Sequence, residues 1–440
     1  MKKISLFASF VIISESFINA HAQSPDKTSG FVTVKNTGFQ ISGKPYYFLG
    51  TNFWYGLNLG SKGAGGNRER LIRELDRLKA MGVTNLRIMG GSEGPDTEPY
   101  RMVPALQTAA GEYNKDIFDG LDFLLNEMKK RDMYAVVCLN DFWNWSGGMG
   151  QYIVWSGTAK SIPYPPPAPG GDWGKYQQFT AQFYSNQKAM DMFNDFIRII
   201  VNRKNNYSGI EYKADPTIMA WELANEPRGI NNKEALQQWI DNTAGLIKKL
   251  DHNHLVTTGS EGTTSSPYAG TDPQKDHSSP NIDYITIHIW VQNWNFYDPA
   301  RADATYGPAL QYALKYLNDH EQIARKMNKP VVLEEFGISR DQNNYDPQSP
   351  TTIREKYYTA IFDAVYKKAN QDNSVFGGCN FWAWAGEGRP KKPGGLWKPN
   401  DDFIGDPPHE SQGWYSIYDT DTATIEVIKE YAEKMNSISR

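Results

Sequence analysis

Two segments of the chain, MAWELANEPRG at 219–229 and PVVLEEFG at 330–337, each contain an apolar run that leads into glutamates. Short apolar runs of this kind are typical of buried strands in a parallel sheet. Pro227 cannot continue a β-ladder, so the first of these strands is predicted to end at Glu226. A buried carboxylate is costly unless it is hydrogen-bonded or used in chemistry. Two facing carboxyl groups, one protonated and one ionised, are the minimum equipment for cleaving a glycosidic bond.

Strand patterns and helix patterns alternate along the chain. The apolar strand runs are 47–54, 84–89, 134–140, 218–226, 255–262, 284–290, 330–337 and 376–384. Helical spacing predicts helices at 68–82, 116–131, about 187–203, 233–250, about 309–328, 351–370 and 423–436, with no convincing helix after the fifth strand. Eight such units predict an α/β fold, a closed (β/α)8 or TIM barrel. A short hairpin that turns near Asn36 to Gly38 is predicted to precede it.

An open, doubly wound parallel sheet is the alternative fold. Such a sheet would more naturally carry a glycine-rich phosphate-binding turn after an early strand. The segment GSKGAGG at 60–66 is rich in glycine, but it lies in a longer loop and lacks the required spacing. We therefore interpret it as a flexible loop and favour the barrel.

Polar and aromatic side chains are predicted at the ends of six of these strands. In a (β/α)8 barrel the carboxyl ends of the strands form one rim, where catalytic residues lie. Side chains that are distant in the chain are therefore expected to converge there. They are Arg87 on the second strand, Asn140 and Asp141 on the third, Asn225 and Glu226 on the fourth, His288 and Trp290 on the sixth, Glu334 and Glu335 on the seventh, and Trp382 and Trp384 on the eighth.

The composition favours a carbohydrate ligand over nucleic acid or a membrane. The 440 residues carry a net charge of −4, and 22% of them are charged, so nothing in the composition suggests a basic patch for nucleic acid or for anionic lipid. The chain contains 13 Trp, 25 Tyr and 20 Phe, many of them in polar, glycine-rich segments. Aromatic faces in wet loops suit a sugar ring, whose surface alternates between apolar and polar.

The first residues have the order of an export signal. Two lysines precede an apolar stretch at 4–13, and AHA at 20–22 fits a cleavage site for a signal peptide of residues 1–22. This predicts a secreted or periplasmic protein whose residues 23–440 form a single catalytic domain, and no cysteine follows the site to carry a lipid anchor. Cys138 and Cys379 are the only cysteines, and both are predicted to be buried free thiols.

The motifs LANEP on the fourth strand and LEEFG on the seventh resemble the acid/base and nucleophile motifs of glycoside hydrolase family 5, a retaining (β/α)8 family. The resemblance extends over the whole mature chain, with the other strand-end motifs in the expected order. CLNDFWNWSGG, TTGSEG and NFWAW are similar to segments of its endo-β-1,4-mannanase subgroup. The resemblance implies a monomeric retaining endo-mannanase that acts on mannan, glucomannan or galactomannan without a metal or an organic cofactor.

The resemblance also implies roles for the residues that match these motifs. Glu226 would be the general acid/base and Glu335 the nucleophile, while Asn225 would hold the 2-hydroxyl group of the sugar. Arg87 would keep Glu335 ionised by charge-assisted hydrogen bonds. Glu334 would alternate to the opposite face of the strand and belong to the supporting network of the barrel.

The remaining candidates are expected to bind substrate or to support the site. His288 would hydrogen-bond within the site and help to set the proton on the acid/base. The family commonly has a tyrosine two residues after this histidine, whereas this chain has Trp290, which leaves open what hydrogen-bonds the nucleophile. Trp382 would form the platform under the sugar at the cleavage subsite. The further cleft candidates are Asn140, Trp143, Trp145, Trp54 and Glu261.

Three other functions are weighed against mannan cleavage. An endo-β-1,4-glucanase, or less favourably a xylanase, could use the same scaffold, because mannose and glucose differ only in the hydroxyl configuration at C2. A non-catalytic polysaccharide-binding barrel would not need the carboxylate pair. A metal-dependent hydrolase would need several His and Asp side chains at the strand ends, and only His288 and Asp141 are available there.

Overall fold

The protein is described by a computed structural model whose described residues are 1, 30–266 and 268–439. The signal peptide predicted for residues 1–22 therefore lies, apart from Met1, outside the described residues. Within the described ranges no helix combines the length and the apolar character needed to cross a membrane.

The strands include eight parallel ones that form a barrel around the core. These are β4, β5, β8, β9, β10, β11, β12 and β13 of the following series. In chain order the strands are β1 (Val32–Lys35), β2 (Gly38–Ile41), β3 (Lys44–Tyr46), β4 (Phe48–Asn52), β5 (Asn85–Met89), β6 (Gln107–Ala109), β7 (Glu112–Tyr113), β8 (Tyr134–Cys138), β9 (Ile218–Glu222), β10 (Leu255–Thr257), β11 (Ile285–Ile289), β12 (Val331–Phe336), β13 (Phe376–Phe381), β14 (Trp384–Gly386) and β15 (Ile417–Tyr418).

The barrel strands are hydrogen-bonded in the order β10-β9-β8-β5-β4-β13-β12-β11. Backbone hydrogen bonds also cross the remaining gap between β10 and β11, from Asp283 N to Val256 O (2.8 Å) and from His288 N to Glu261 O (3.0 Å). The predicted (β/α)8 barrel is thus confirmed, with each strand close to its predicted position. Cys138 and Cys379 are free and buried, as predicted, and their strands are separated by β5 and β4 in the barrel.

The predicted N-terminal hairpin is confirmed and has a third strand. β1 pairs with β2 across a tight turn in which Asn36 takes a positive φ of 56°. β3 then pairs with β2, so the hairpin becomes a three-stranded antiparallel sheet. Its side chains Val32, Phe39 and Tyr46 belong to one buried cluster with Tyr284, which precedes β11, and Phe39 meets Tyr284 edge-on. This cluster closes the amino-terminal end of the barrel.

Helices follow the barrel strands and cover them. The fifth barrel strand is followed by the helix α8 (Pro273–Asp276), whose four residues are too few to show helical periodicity. The helix α9 (Ala302–Met327) begins earlier than the predicted residue 309 and contains Pro308. The helices are α1 (Gly56–Leu59), α2 (Arg68–Ala80), α3 (Lys115–Lys129), α4 (Gly148–Trp155), α5 (Trp173–Thr180), α6 (Gln187–Val201), α7 (Lys233–Leu250), α8 (Pro273–Asp276), α9 (Ala302–Met327), α10 (Thr352–Ala369) and α11 (Thr422–Asn436).

The prediction that the fourth barrel strand runs to Glu226 is wrong. β9 ends at Glu222. The next residues keep backbone hydrogen bonds to the segments that follow β8 and β10, and Asn225 forms an isolated bridge with Asp141. Glu226 has a positive φ of 50°, a conformation that a strand cannot contain. The chain therefore turns at Glu226, and its side chain is presented from a loop rather than from a strand.

Candidate active site

Arg87 lies at the centre of the rim and joins residues from four barrel units. Its Nε and Nη2 donate to the two oxygens of Glu222, at 2.9 and 2.6 Å, and its Nη1 donates to Glu335 Oε1. Nη2 also donates to Asn225 Oδ1 at 2.8 Å, and Nη1 to Asn52 Oδ1 at 3.1 Å. Burial works against the charged form of Glu222, but Arg87 outweighs it and lowers the pKa of that carboxyl group.

Glu226 and Glu335 face each other across His288. Glu226 Oε1 lies 2.7 Å from His288 Nδ1, and the same nitrogen lies 3.3 Å from Glu335 Oε2. An oxygen of Glu226 and an oxygen of Glu335 are within 4.8 Å of each other. Such a spacing could also suit a cation, but we do not assign these side chains as metal ligands, because Arg87 already supplies positive charge to Glu335.

The environment of Glu226 differs from that of Glu335. Burial raises the pKa of Glu226, while Arg228 and the indole N–H groups of Trp143 and Trp290 oppose that rise. The Trp143 Nε1 donates to Glu226 Oε2 at 2.6 Å. Burial also raises the pKa of Glu335, and Arg87 opposes it by direct contact. Two carboxyl groups that face different partners can take different protonation states, as an acid and a nucleophile must.

The sequence predicted that Glu334 alternates to the opposite face of its strand, and the structure shows that it does not. The register between β11 and β12 shifts so that Ile287 pairs with Leu333 and His288 with Glu335, which leaves Glu334 as an extra residue. A bulge of this kind re-aims a side chain. As a result Glu334 points into the barrel like Glu335, with its Oε2 3.7 Å from Arg87 Nε.

A cavity of about 1040 Å³ opens over these carboxylates. Of the residues predicted from the sequence, it is lined by Glu226, Glu335, Asn225, Trp143, Trp145, Trp290, Trp382 and Glu261. Helix α5 and loops that sequence periodicity does not describe supply much of the remaining wall. They contribute Trp173, Gln177, Arg228, Asn293, His409 and Glu410, of which Arg228 could have been found from its place in the NEPRG segment.

Trp54 and Asn140 lie outside this cavity wall, contrary to prediction. Trp54 is buried, donates from Nε1 to Gly405 O at 2.9 Å, and packs edge-on against Trp145. Asn140 is fully buried, and its Oδ1 accepts the backbone N–H of Asp141 within its own turn. Both residues lie just after the ends of their strands, β4 and β8, and both side chains are buried outside the cavity wall.

Glu261 lies in the wall but is already paired. Both of its oxygens accept hydrogen bonds of 2.7 Å from Arg228, whose guanidinium carbon lies 4.8 Å from the ring centroid of Trp143. This stack holds the indole whose N–H reaches Glu226. Glu261 therefore helps to position the wall.

Trp382 and Trp290 form an aromatic corner beside Glu335. Their rings meet edge-to-face, with centroids 5.8 Å apart and an interplanar angle of 80°. Both line the cavity although each is largely buried. This places Trp382 where a platform under the sugar is predicted, and it places Trp290 against Trp382 and Glu226 rather than as a hydrogen-bond donor to the nucleophile.

We expect Trp382→Ala to lower both kcat and kcat/KM. Stacking on an aromatic platform is worth about 1–3 kcal/mol, and a contact that tightens in the transition state affects both constants. Trp54→Ala is the matched control, because it truncates a core indole at a cost of about 3–5 kcal/mol in stability. Thermal unfolding and kinetics are measured on both variants. A large fall in Tm with near-normal kcat for Trp382→Ala would remove this residue from the site.

An eight-stranded (β/α)8 barrel with facing carboxylates at its rim defines the protein as a glycoside hydrolase. More particularly, the chain belongs to the glycoside hydrolase family 5 β-mannosidase-like family, whose model matches residues 29–440. The predicted family resemblance is thereby confirmed.

Named relatives agree with this assignment. The chain is 30% identical over 409 residues to mannan endo-1,4-β-mannosidase 5 of Arabidopsis thaliana, covering 88% of this chain and 84% of that protein. It is 39% identical to the solved family 5 mannosidase of Rhizomucor miehei, with a TM-score of 0.86 over 93% of this chain and 99% of that one. A mutant of the Rhizomucor enzyme was solved with mannosyl-fructose. The endo-β-1,4-mannanase of Thermotoga petrophila is 25% identical, with a TM-score of 0.64 over 90% and 78% of the two chains.

Proposed function

We propose that this enzyme hydrolyses β-1,4-mannosidic bonds with net retention of configuration. The observation that carries the proposal is the pair Glu226 and Glu335, which have oxygens within 4.8 Å of each other on either side of His288. Carboxyl groups about 5–5.5 Å apart are typical of retaining glycosidases, whereas inverting enzymes need about 6.5–9.5 Å to admit a water molecule.

The first displacement forms a covalent glycosyl-enzyme. A Glu335 oxygen attacks the anomeric carbon and forms a new C–O bond while the glycosidic C–O bond breaks. Glu226 gives its proton to the leaving oxygen. In the second displacement Glu226 removes a proton from water, the water oxygen attacks the same carbon, and Glu335 leaves as a carboxylate.

The change of role of Glu226 follows from the charge of its neighbour. While Glu335 is ionised, its charge favours the protonated form of Glu226. Once Glu335 is esterified that charge is lost, so Glu226 releases its proton more readily and can act as a base. Arg87 lowers the cost of keeping Glu335 ionised before the attack, because it donates directly to Oε1.

Asn225 and Trp382 are proposed to orient the sugar. Asn225 Oδ1 accepts from Arg87 and its Nδ2 donates to Asp141 Oδ1 at 3.1 Å, so both ends of the amide are held next to Glu226. A fixed amide at the rim suits a hydrogen bond to the 2-hydroxyl group, which is axial in mannose. The names of the relatives support mannan over glucan, and an endo-β-1,4-glucanase remains the alternative on this scaffold.

We propose internal cleavage of mannan, as the sequence predicts and as the names of the curated relatives support. Removal of a terminal mannose is the second candidate. It is favoured by the β-mannosidase-like character of the matched family. The chain is also more similar to the Rhizomucor mannosidase, with 39% identity and a TM-score of 0.86, than to the Thermotoga endo-mannanase, with 25% identity and a TM-score of 0.64.

Reduced mannohexaose distinguishes the two modes, with reduced cellohexaose as the matched control for glucanase action. We expect mannobiose and mannotriose among the earliest products from internal cleavage. A stepwise release of mannose alone would replace the endo mode by the exo mode. Faster cleavage of the cello-oligosaccharide would contradict the proposed mannan specificity.

We also propose that residues 1–22 are a signal peptide and that residues 23–440 act outside the cytoplasm as a single monomeric domain. The order of basic, apolar and small residues in the first segment supports export. The family match from residue 29 onward supports one continuous catalytic domain.

A further inference from the structure

Three glutamates surround the single guanidinium of Arg87, and one of them receives no hydrogen bond from it. Glu222 accepts from two N–H groups of Arg87, and Glu335 accepts from a third. Glu334 Oε2 stays 3.7 Å from Arg87 Nε. One positive charge does not compensate three buried carboxylates, so the carboxyl group without a hydrogen bond is the one expected to hold a proton.

The same carboxyl group faces an unpartnered imidazole nitrogen. In the described part of the chain, no group donates a hydrogen bond to either oxygen of Glu334, whose carboxyl group lies beside that of Glu222, and the buried Nε2 of His288 also lacks a partner. Glu334 Oε2 lies 3.7 Å from His288 Nε2, which is about 0.7 Å longer than a normal hydrogen bond. Catalytic hydrogen bonds are often long in unliganded enzymes and tighten when substrate binds. The two groups are therefore placed to form a bond during the reaction.

The tautomer of His288 determines the protonation of Glu226. Burial lowers the pKa of His288 to about 3, so the ring is neutral and carries one N–H. If Nδ1 carries it, the ring donates to Glu226 Oε1, with Glu335 Oε2 3.3 Å from the same nitrogen, and favours the ionised form of both carboxyl groups. If Nε2 carries it, Nδ1 is an acceptor, and Glu226 supplies the proton between them. Arg228 and Glu261, on the far side of Glu226, are paired with each other.

We propose that Glu334 is a positioning residue that stays protonated and holds His288 as the Nε2–H tautomer. Its Oε2 accepts the Nε2–H of His288, and its own proton is shared with Glu222. His288 Nδ1 is then left to accept the proton of Glu226, so the acid form of Glu226 is favoured before the glycosidic bond breaks. The inference rests on the proposed role of Glu226 as the proton donor.

The charged and titratable groups around Glu334 favour its neutral form. Burial and the charge of Glu222 on β9 raise the pKa of Glu334, Arg87 on β5 opposes them, and Glu335 on β12 raises it further. Tyr284, just before β11, also faces this carboxyl group, and burial raises the pKa of its phenol well above the usual range, so it stays neutral. Two negative neighbours against one cation leave protonation as the least costly state.

Two substitutions of Glu334 separate a neutral positioning acid from a charged one. Glu334→Gln keeps a neutral carbonyl acceptor for His288 and an N–H donor for Glu222, whereas Glu334→Leu removes both. Asp276→Asn is the matched control, because Asp276 is a buried carboxyl group with a raised pKa of about 7 that lies on α8, away from the rim. The measurements are the pH profile of kcat/KM on mannopentaose and the 15N spectrum of histidine-labelled protein, assigned with His288→Gln.

We expect the Nε2–H tautomer in the wild-type enzyme and in Glu334→Gln, with closely similar pH profiles. In Glu334→Leu the ring can donate from Nδ1 to Glu226, so the alkaline limb of kcat/KM should move down by about one pH unit. Asp276→Asn should leave the limb in place.

An Nδ1–H tautomer in the wild-type enzyme would overturn the proposal, and so would equal profiles for Glu334→Gln and Glu334→Leu. If Glu334→Leu does not fold, the tautomers of the wild type and Glu334→Gln still decide. The 15N spectrum reports the tautomer of His288 without turnover. A failure of the proposed role of Glu226 would appear in a separate experiment, in which azide replaces water as the nucleophile and the configuration of the product is determined.

Discussion

Substitution of Glu226 or Glu335 by glutamine should lower kcat by about 10³-fold or more while leaving the fold intact. Glutamine keeps the shape of each side chain but can neither give up a proton to the leaving oxygen nor attack the anomeric carbon. Glu321→Gln is the matched control, because this glutamate lies on α9 and pairs with Lys368 and Arg325 outside the barrel. It should retain near wild-type turnover.

Azide rescue assigns the two roles. With an activated aryl β-mannoside, whose leaving group needs little protonation, azide should restore turnover to Glu226→Ala and yield the β-mannosyl azide. The anion attacks the glycosyl-enzyme from the face that water would use. Glu335→Ala should instead yield the α-mannosyl azide, because azide takes the place of the missing nucleophile. The reverse stereochemistry would exchange the two assignments.

Replacement of Arg87 by methionine should reduce both activity and stability. The variant leaves Glu222, Glu334 and Glu335 buried without their shared cation, and breaking a buried charge network typically costs about 3–5 kcal/mol. Glu335 also loses the donor that favours its ionised form, so kcat should fall strongly. Chemical unfolding gives the free energy of unfolding, and kinetics give kcat for the folded protein.

The stability loss in Arg87→Met should depend on pH. The folded-state pKa of Glu222 is lowered in the wild type, so its contribution to stability is present above the unfolded-state pKa of about 4.3 and is lost as the pH falls through the lower folded value. The difference between wild type and variant should therefore be largest near neutral pH and shrink below about pH 4.

The control for this effect is Arg101→Met. Arg101 is as buried as Arg87, but it donates to the backbone carbonyls of Glu93 and Gly94 and to the side chains of Gln151 and Tyr164. Its loss should destabilise the protein by a similar amount at about pH 3 and at about pH 7. An equal destabilisation by Arg87→Met at these two pH values would contradict the charge network.

Local patterns in the sequence were sufficient to predict the barrel and the rim glutamates. Each apolar run or helical pattern is contained in a short stretch of the chain. The sequence therefore predicted the eight strands, and helices such as α7, near their observed positions. The motifs LANEP and LEEFG named Glu226 and Glu335 through their resemblance to the acid/base and nucleophile motifs of the family. The strand order then brought the two together.

Only the tertiary structure determined where the neighbouring side chains point. Ile287 pairs with Leu333 and the next residue, His288, pairs with Glu335, so β12 has one extra residue, Glu334, which turns inward. This register depends on two strands that are distant in the sequence. Trp54 became part of the core because Gly405 and Trp145, from two other loops, pack on it. Alternation within one strand cannot report such contacts, since the free energy that selects them comes from pairing and packing between segments that are far apart in the chain.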